Sequence, residues 1–348
     1  MAAPAFDDSR LDDPVALQAI DDQLRQLASA GARVRVLGDA ARPADPAWLE
    51  VRPRGVVALG AEARLVRAML EPVCPVPFVA WPAGGLPGWV GPLDLVVVLA
   101  SEGSEPDLMG TVAEAVRRGA LLQVAANPDS PIAERAASRN TFVLPTGHSD
   151  PLATVVVTLE VLHQLGLGPA VSHQRVADQA DLVAEQCSPH RDLAQNPAKD
   201  LAVALAEAQP LVWGGSVLAA RAARRIAEAL RRASGRPALA ADASALLPVL
   251  EACQPRDPFR DPFDEESATL PGVLLLVDDG VLDERVRRER GQLVSAAERH
   301  GVRVCEIGSG TAESLSSLDR YVELLQRGRY AASYLALGLA ENEGSIPR

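Results

Sequence analysis

The stretch that decides the fold runs from Gly85 to Glu105 and reads GLPGWVGPLDLVVVLASEGSE. Its apolar part, Leu93 to Ala100, is too short to span a membrane and too rich in β-branched residues for an ordinary helix interior. It therefore predicts a strand buried on both faces. The polar residues Ser101 to Ser104 follow that strand, and Asp107 to Gly119 has the charge order and glycine stop of a helix. In a parallel α/β sheet, ligands bind at such a junction.

The sequence on both sides repeats this alternation of strand and helix. In the first half the predicted strands are Val56–Leu59, Val76–Ala80, Leu93–Leu99, Leu121–Ala125 and Thr141–Leu144. In the second half, the predicted strands are Pro210–Trp213, Val273–Val277 and Val302–Ile307, and the main helices are Val217–Ser234, Leu282–His300 and Leu318–Ala340. The pattern predicts an α/β protein with two flavodoxin-like domains, each a doubly wound parallel sheet.

We place the predicted domains at residues 41–168 and 169–348, after an N-terminal helical segment at residues 1–40. Within that segment, Leu11 to Gly31 has apolar residues at helical spacing. It predicts one amphipathic helix packed on the first domain. A C-terminal helical segment is predicted at Leu318–Ala340.

Composition excludes several classes of function. The chain has 348 residues, of which 48% are hydrophobic and 23% charged, as in a folded globular protein. Its net charge of -12 disfavours nucleic acid and anionic membranes as partners. The acidic N-terminus and the lack of a long apolar run lead us to expect a cytoplasmic protein.

Neither a metal nor an organic cofactor is expected. The four cysteines are far apart, and the five histidines show no metal-binding spacing. Neither Gly60 nor Gly214 opens the Gly-x-Gly-x-x-Gly turn of a nicotinamide site.

The phrase Leu86–Val90, the strand after it and the helix end at Ala113–Gly119 resemble a known family. They look like the first sugar isomerase (SIS) domain of bifunctional phosphoglucose/phosphomannose isomerases, closest to the TobH-like branch of high G+C bacteria. The resemblance extends from about Pro53 to the C-terminus. It implies two SIS domains, a homodimer, and a reaction converting glucose 6-phosphate or mannose 6-phosphate to fructose 6-phosphate.

The loop that holds the substrate phosphate in this family is only partly matched. Ser101, Gly103 and Ser104 are its remaining counterparts, and the resemblance implies that they bind substrate. Glu102 and Glu105 lie between and beside them. Since like charges about 4 Å apart repel by roughly 4 kcal/mol at an effective dielectric of about 20, we expect phosphate to bind this loop poorly.

A second candidate for phosphate binding is the turn Gly214-Gly215-Ser216, between a predicted strand and helix, where backbone amides can cradle an anion. In the following helix the resemblance places Arg221 on the family's arginine and Glu228 on its proton-transfer base. Arg221 would then stabilise the enediolate. The alternative is that Glu228 only forms salt bridges on an exposed helix face, with Arg224, Arg231 and Arg232 at helical spacing.

The family's ring-opening histidine has no counterpart, because no histidine occurs between His190 and His300. Asp242, Ser244 and Glu251 are nearby candidates, although a single Asp at a loop or helix start, such as Asp242, is more often a helix N-cap. The segment Pro255–Pro262, with Phe259 and Phe263, is predicted to be a loop whose aromatic residues either anchor it or touch a partner subunit.

The amino-acid sequence leaves two functions open. One is an isomerase-family protein with reduced or lost activity. The other is a non-catalytic SIS protein that binds a sugar phosphate, a sugar nucleotide or a protein, and regulates mannose or cell-envelope precursor metabolism.

Overall fold

The computed structural model describes residues 6–40, 48, 50, 52–82, 84–146, 150–253, 271–281 and 283–340. The chain forms two compact units, which we call the N-unit (Ala30–Asp178) and the C-unit (Met1–Ser29 with Gln179–Arg348). The predicted N-terminal segment, residues 1–40, is thus divided between the two units.

The N-terminal segment contains several short helices where the sequence predicted one. They are α1 (Pro14–Gln18), α2 (Asp21–Ala28) and α3 (Ala30–Ala40). The carboxylate of Asp13 caps α1 by accepting the N–H groups of Val15 and Ala16. The Ser29 hydroxyl donates to the Arg25 carbonyl and ends α2. The prediction that this segment packs on the first domain is wrong for α2, which contacts the C-terminal helix of the C-unit.

The N-unit contains a five-stranded parallel sheet in the order β2-β1-β3-β4-β5. Its strands are β1 (Val56–Gly60), β2 (Phe78–Ala80), β3 (Leu95–Leu99), β4 (Leu121–Ala126) and β5 (Thr141–Pro145). The connecting helices are α4 (Ala63–Leu70), α5 (Pro106–Arg118), α6 (Pro131–Ala136) and α7 (Pro151–Gln164). All five predicted strands are confirmed, and every residue of β3 is buried as its β-branched run predicted.

The C-unit repeats this architecture with a four-stranded parallel sheet in the order β7-β6-β8-β9. The boundary between the two units in the sequence falls within α8 (His173–Gln186). The elements of the C-unit that follow are α9 (Pro197–Leu205), β6 (Gln209–Gly214), α10 (Val217–Ser234), β7 (Leu239–Ala240), α11 (Ala243–Glu251), β8 (Gly272–Asp278), α12 (Glu284–Arg299), β9 (Arg303–Gly308) and α13 (Ser317–Leu339). The predicted α/β class with parallel, flavodoxin-like sheets is confirmed. No helix in the described part of the chain is long and apolar enough to cross a membrane.

The two longest helices of the C-unit, α10 and α13, pack closely against each other. A Cβ built on Gly328 would lie 2.4 Å from Cγ1 of Ile226, so a glycine is needed at this crossing. The apolar face of α10 is buried along its length, including Ile226 and Leu230. Burying these side chains is the main stabilising contribution to the pair.

An ion pair between a buried lysine and an exposed aspartate fixes the N-terminal segment to the rest of the C-unit. Lys199, the only lysine in the sequence, has a fully buried side chain. Its Nζ donates to Asp12 Oδ1 (2.7 Å) and to the carbonyls of Pro189 (3.0 Å) and Arg191 (2.8 Å), which uses all three ammonium protons. The same Nζ lies 5.5 Å from the ring centroid of Tyr334 on α13. One side chain therefore connects the N-terminal segment with α9 and α13.

The pKa of Asp12 reflects this contact. Burial alone would raise it, but the hydrogen bonds from Lys199 and from the Leu193 N–H outweigh burial and lower it. A carboxylate with a lowered pKa in the folded state stabilises the fold at neutral pH. That stabilisation is lost as the pH falls through the folded-state pKa.

We predict that Lys199→Met lowers the free energy of unfolding by about 2 kcal/mol, because two part-buried carbonyls lose their donor, whereas the exposed Asp12 carboxylate is solvated by water. Asp12→Asn should cost about 1 kcal/mol, because both carbonyl bonds to Lys199 remain. Urea unfolding at pH 7 measures both values.

In the same experiment, the difference between wild type and Asp12→Asn should begin to shrink below about pH 4 and disappear once the pH is below the lowered pKa of Asp12 in the folded state. The exposed Asp8 provides the control substitution Asp8→Asn, which should behave as wild type. A difference between wild type and Asp12→Asn that persists at low pH would contradict the assignment of the stabilisation to the Asp12 carboxylate.

Candidate functional site

The loop after β3 lies at the carboxyl edge of the N-unit sheet. Ser101 is half-buried, Gly103 is buried and Ser104 is exposed. Gly103 has a φ of +72°, and a Cβ built on it would lie 2.6 Å from Cβ of Ser130. Its carbonyl accepts the N–H of Ile132 (3.2 Å), so the loop is fixed against the start of α6. The glycine is required here for conformation and for space.

A carboxylate of the loop itself accepts a backbone amide at the candidate anion site of the N-unit. Glu105 precedes α5, and its Oε1 accepts the backbone N–H of Glu102 (3.3 Å). This backbone N–H group would otherwise be available to a phosphate in such a loop. Since an incoming anion would meet the negative charge of Glu105, the geometry supports the expectation that phosphate binds weakly here.

The turn after β6 lies at the carboxyl edge of the C-unit sheet. A Cβ on Gly214 would lie 2.2 Å from the carbonyl carbon of Ala219, and one on Gly215 would lie 2.4 Å from Cγ1 of Val286. Both glycines therefore allow a close approach of backbone to neighbouring groups. Ser216 caps α10, since its Oγ accepts the N–H of Ala219 (3.0 Å).

The Ser216 hydroxyl also donates to Oδ2 of Asp279, a buried residue that follows β8. Oδ1 of Asp279 accepts the N–H of Val281 (3.4 Å), so both carboxylate oxygens have donors. Arg320 on α13 donates to the Asp279 carbonyl (2.9 Å). The Asp279 carboxylate therefore lies at the N-terminus of α10, which follows the predicted anion-binding turn. Glu105 has the corresponding position at the start of α5 in the N-unit.

Arg221 and Glu228 lie on α10, but at different distances from this turn. Arg221 is half-buried in the second turn of α10, and its charge acts on buried Tyr321 of α13. Glu228 is twelve residues beyond Ser216, which corresponds to about 18 Å along the helix axis. Ser216 and Asp279 are thus in contact, whereas Glu228 lies far along the helix from them.

Glu228 forms ion pairs with Arg225 (2.9 Å) and Arg232 (2.7 Å). Burial alone would raise its pKa, but the hydrogen bond from Arg225 and the charges of Arg225, Arg232 and Arg231 lower it. A carboxylate with a lowered pKa is a weaker proton acceptor. The predicted pairing with Arg232 is present, while Arg225, which the sequence reading did not consider, is the second partner.

The remaining candidates are dispersed. Asp242 occupies the N-cap position of α11 without a side-chain capping bond, Ser244 is exposed, and Glu251 at the other end of α11 lies 3.9 Å from Arg299. The segment Pro255–Pro262, with Phe259 and Phe263, lies outside the described residues. Within the described ranges, no cluster of three or more His, Cys, Asp or Glu side chains is arranged to hold a metal ion.

Sequence reasoning missed the polar residues at the ends of β8 and β9. Asp278-Asp279-Gly280 follows one apolar strand, and Gly308-Ser309-Gly310 follows the next. The Gly310 N–H donates to Oε2 of Glu323 on α13 (2.6 Å). Since carboxyl ends of parallel strands share one edge, these loops could have been placed beside Ser216 from the strand pattern alone.

Comparisons with known proteins agree with this fold. Residues 194–341 match the family described as the bacterial phospho-glucose isomerase C-terminal SIS domain. No curated protein sequence matches the chain. The family match thus assigns a SIS-type domain to the C-terminal part of the chain.

Three solved structures illustrate the structural similarity. A glucose-6-phosphate isomerase like protein from Thermus thermophilus is 18% identical, with a TM-score of 0.55, over 94% of this chain and 92% of that one. Tagatose-6-phosphate ketose/aldose isomerase from Escherichia coli is 12% identical, with a TM-score of 0.67, over 96% of each chain. The C-terminal domain of glucosamine-fructose-6-phosphate aminotransferase from Francisella tularensis is 12% identical, with a TM-score of 0.59, over 91% of this chain and 95% of that one. At these identities the matches show the fold.

We predict that Gly214→Ala destabilises the protein by about 2 kcal/mol or more, because the new methyl group would overlap backbone atoms of α10 that cannot rotate away. Gly291→Ala in α12 is the matched control, because a Cβ there meets no atom within 4 Å. It should stabilise the helix by up to about 1 kcal/mol. Urea unfolding measures both, and equal stability of Gly214→Ala and wild type would refute the close approach.

Proposed function

We propose that this SIS-domain protein binds a sugar phosphate or a sugar nucleotide and that its isomerase activity is reduced or lost. The observation that carries the proposal is the carboxylate at each candidate anion site. Glu105 accepts a loop amide in the N-unit, and Asp279 accepts the Ser216 hydroxyl in the C-unit. The negative charges of both carboxylates would weaken the binding of a phosphate group, and turnover of a sugar phosphate depends on that binding.

The state of Glu228 supports the same proposal. Proton transfer between adjacent carbons needs a base whose pKa is close to the working pH. Two arginines hold the pKa of Glu228 below its ordinary value. The sequence also has no histidine between His190 and His300 for ring opening.

The proposal also includes the branch of the isomerase family to which the protein belongs. The TobH-like branch of bifunctional phosphoglucose/phosphomannose isomerases is suggested by the phrase Leu86–Val90 and the helix end at Ala113–Gly119. The competing function is an active hexose 6-phosphate isomerase, in which Glu228 is the base and Arg221 stabilises the enediolate. The seven-residue spacing on one face of α10 favours it, because both side chains then point in a similar direction.

An isomerase assay separates these functions. Purified protein and Glu228→Gln are tested for interconversion of fructose 6-phosphate with glucose 6-phosphate and mannose 6-phosphate, and for ligand-induced thermal shifts. We expect little or no turnover from either protein, and equal thermal shifts. Turnover by wild type that Glu228→Gln loses would establish the active isomerase instead.

A second prediction concerns the N-unit loop. Glu105→Gln should raise the affinity for glucose 6-phosphate by about tenfold or more, because it removes a negative charge beside the loop amides. Titration calorimetry measures the affinity. Glu134→Gln, at an exposed position on α6, is the charge-matched control and should bind as wild type. Equal affinities of Glu105→Gln and Glu134→Gln would show that the Glu105 charge does not limit phosphate binding.

A further inference from the structure

Two buried polar side chains on α13 are incompletely hydrogen-bonded. Glu323 is 1% exposed, and no described residue donates a hydrogen bond to its Oε1. Gln326 is also 1% exposed, and neither atom of its side-chain amide has a partner among the described residues. Burying a charged oxygen without a donor costs free energy, so a group of this kind requires an explanation.

Glu323 lies at the carboxyl edge of the C-unit sheet. Its Oε2 accepts the N–H of Gly310, two residues beyond the end of β9. A Cβ built on Gly310 would lie 3.3 Å from Oε1, which places the second oxygen beneath the same loop. One turn earlier on α13, Arg320 donates to the Asp279 carbonyl at the end of β8. The first turns of α13 thus cover the ends of two adjacent strands.

The loop over Glu323, residues 308–315, is exposed over its central part. Residues Thr311 to Ser314 are all exposed. The Ser309 N–H donates to the Asp278 carbonyl (3.0 Å), and Arg320 makes a longer bond to the Ala312 carbonyl (3.4 Å). Exposed segments with few buried contacts open at low free-energy cost. Opening of this loop would uncover Oε1 without unfolding the sheet.

We propose that Glu323 is a ligand-binding carboxylate, whose Oε1 accepts a hydrogen bond from a sugar hydroxyl once loop 308–315 has moved aside. A carboxylate accepts from hydroxyl groups and repels phosphate. Glu323 therefore binds the polyhydroxyl part of the ligand. This inference rests on the proposed function for the class of ligand.

Gln326 is the buried polar side chain next to Glu323 on α13. It is three residues beyond Glu323, on the same helix face and about 4.5 Å further along the axis. Its amide offers both a donor and an acceptor, whereas Glu323 offers acceptors. The two side chains together match adjacent sugar hydroxyl groups, each of which donates and accepts.

The test uses the full chain with fructose 6-phosphate as the probe. Affinity is measured by titration calorimetry, and the unfolding midpoint is measured without ligand. Glu323→Gln should bind at least about tenfold more weakly than wild type. Its midpoint without ligand should equal or exceed that of wild type, because the amide oxygen still accepts the Gly310 N–H while the buried charge is removed.

Two further variants complete the design. Gly310→Ala keeps the charge but crowds the closed loop with a methyl group 3.3 Å from Oε1 and 2.9 Å from Leu315 Cδ1, so it should favour the open loop and strengthen binding. Glu298→Gln changes an exposed glutamate on α12 and should bind as wild type.

Unchanged affinity in Glu323→Gln, with wild type binding the probe, would overturn this inference and leave the proposed function standing. A lowered midpoint with unchanged affinity would assign Glu323 a structural role in holding Gly310. If Glu323→Gln does not fold, Gly310→Ala decides the question, and unchanged or weakened binding by that variant would overturn the inference. Failure of wild type to bind any sugar phosphate or sugar nucleotide would overturn both proposals.

Discussion

The constraint on which both units depend is the parallel pairing of strands that are buried on both faces. In β3 every side chain is buried, and β8 is buried over its five central residues. The buried parts of β3 and β8 carry only apolar side chains, and the carboxyl ends of parallel strands share one edge. Polar chemistry therefore begins where the strands end, at Ser101 after β3, Ser216 after β6 and Asp279 after β8.

This constraint explains how much the sequence alone could predict. Long apolar runs predict the strands, and local caps predict the helices beside them. α10 extends over Val217–Ser234 as predicted, because Ser216 caps its start and Gly235, with a φ of +66°, ends it. The sequence pattern did not predict the two-residue β7, or α11, whose interior contains Pro248.

Contacts between residues distant in sequence could not be predicted. The partner of Lys199 is Asp12, at a separation of 187 residues, and no local pattern relates the two. The same limit applies to the site. The position of Ser216 followed from a strand and a turn, whereas its bond to Asp279 depends on packing of β6 against β8. Glu323 lies among apolar residues of a buried helix, so its sequence neighbours give no sign of its position beside Gly310.

The two buried carboxylates at this edge have opposite effects on stability. Asp279 accepts hydrogen bonds on both oxygens and lies at the N-terminus of α10, where negative charge is favourable, so it stabilises the unliganded fold. Glu323 accepts on one oxygen only and leaves the other buried, which is unfavourable for the unliganded fold. A chain selected for stability alone would replace Glu323 by glutamine or an apolar residue. Local conflicts of this kind are concentrated at functional sites, so the incomplete bonding of Glu323 supports the proposal that this strand edge binds a ligand.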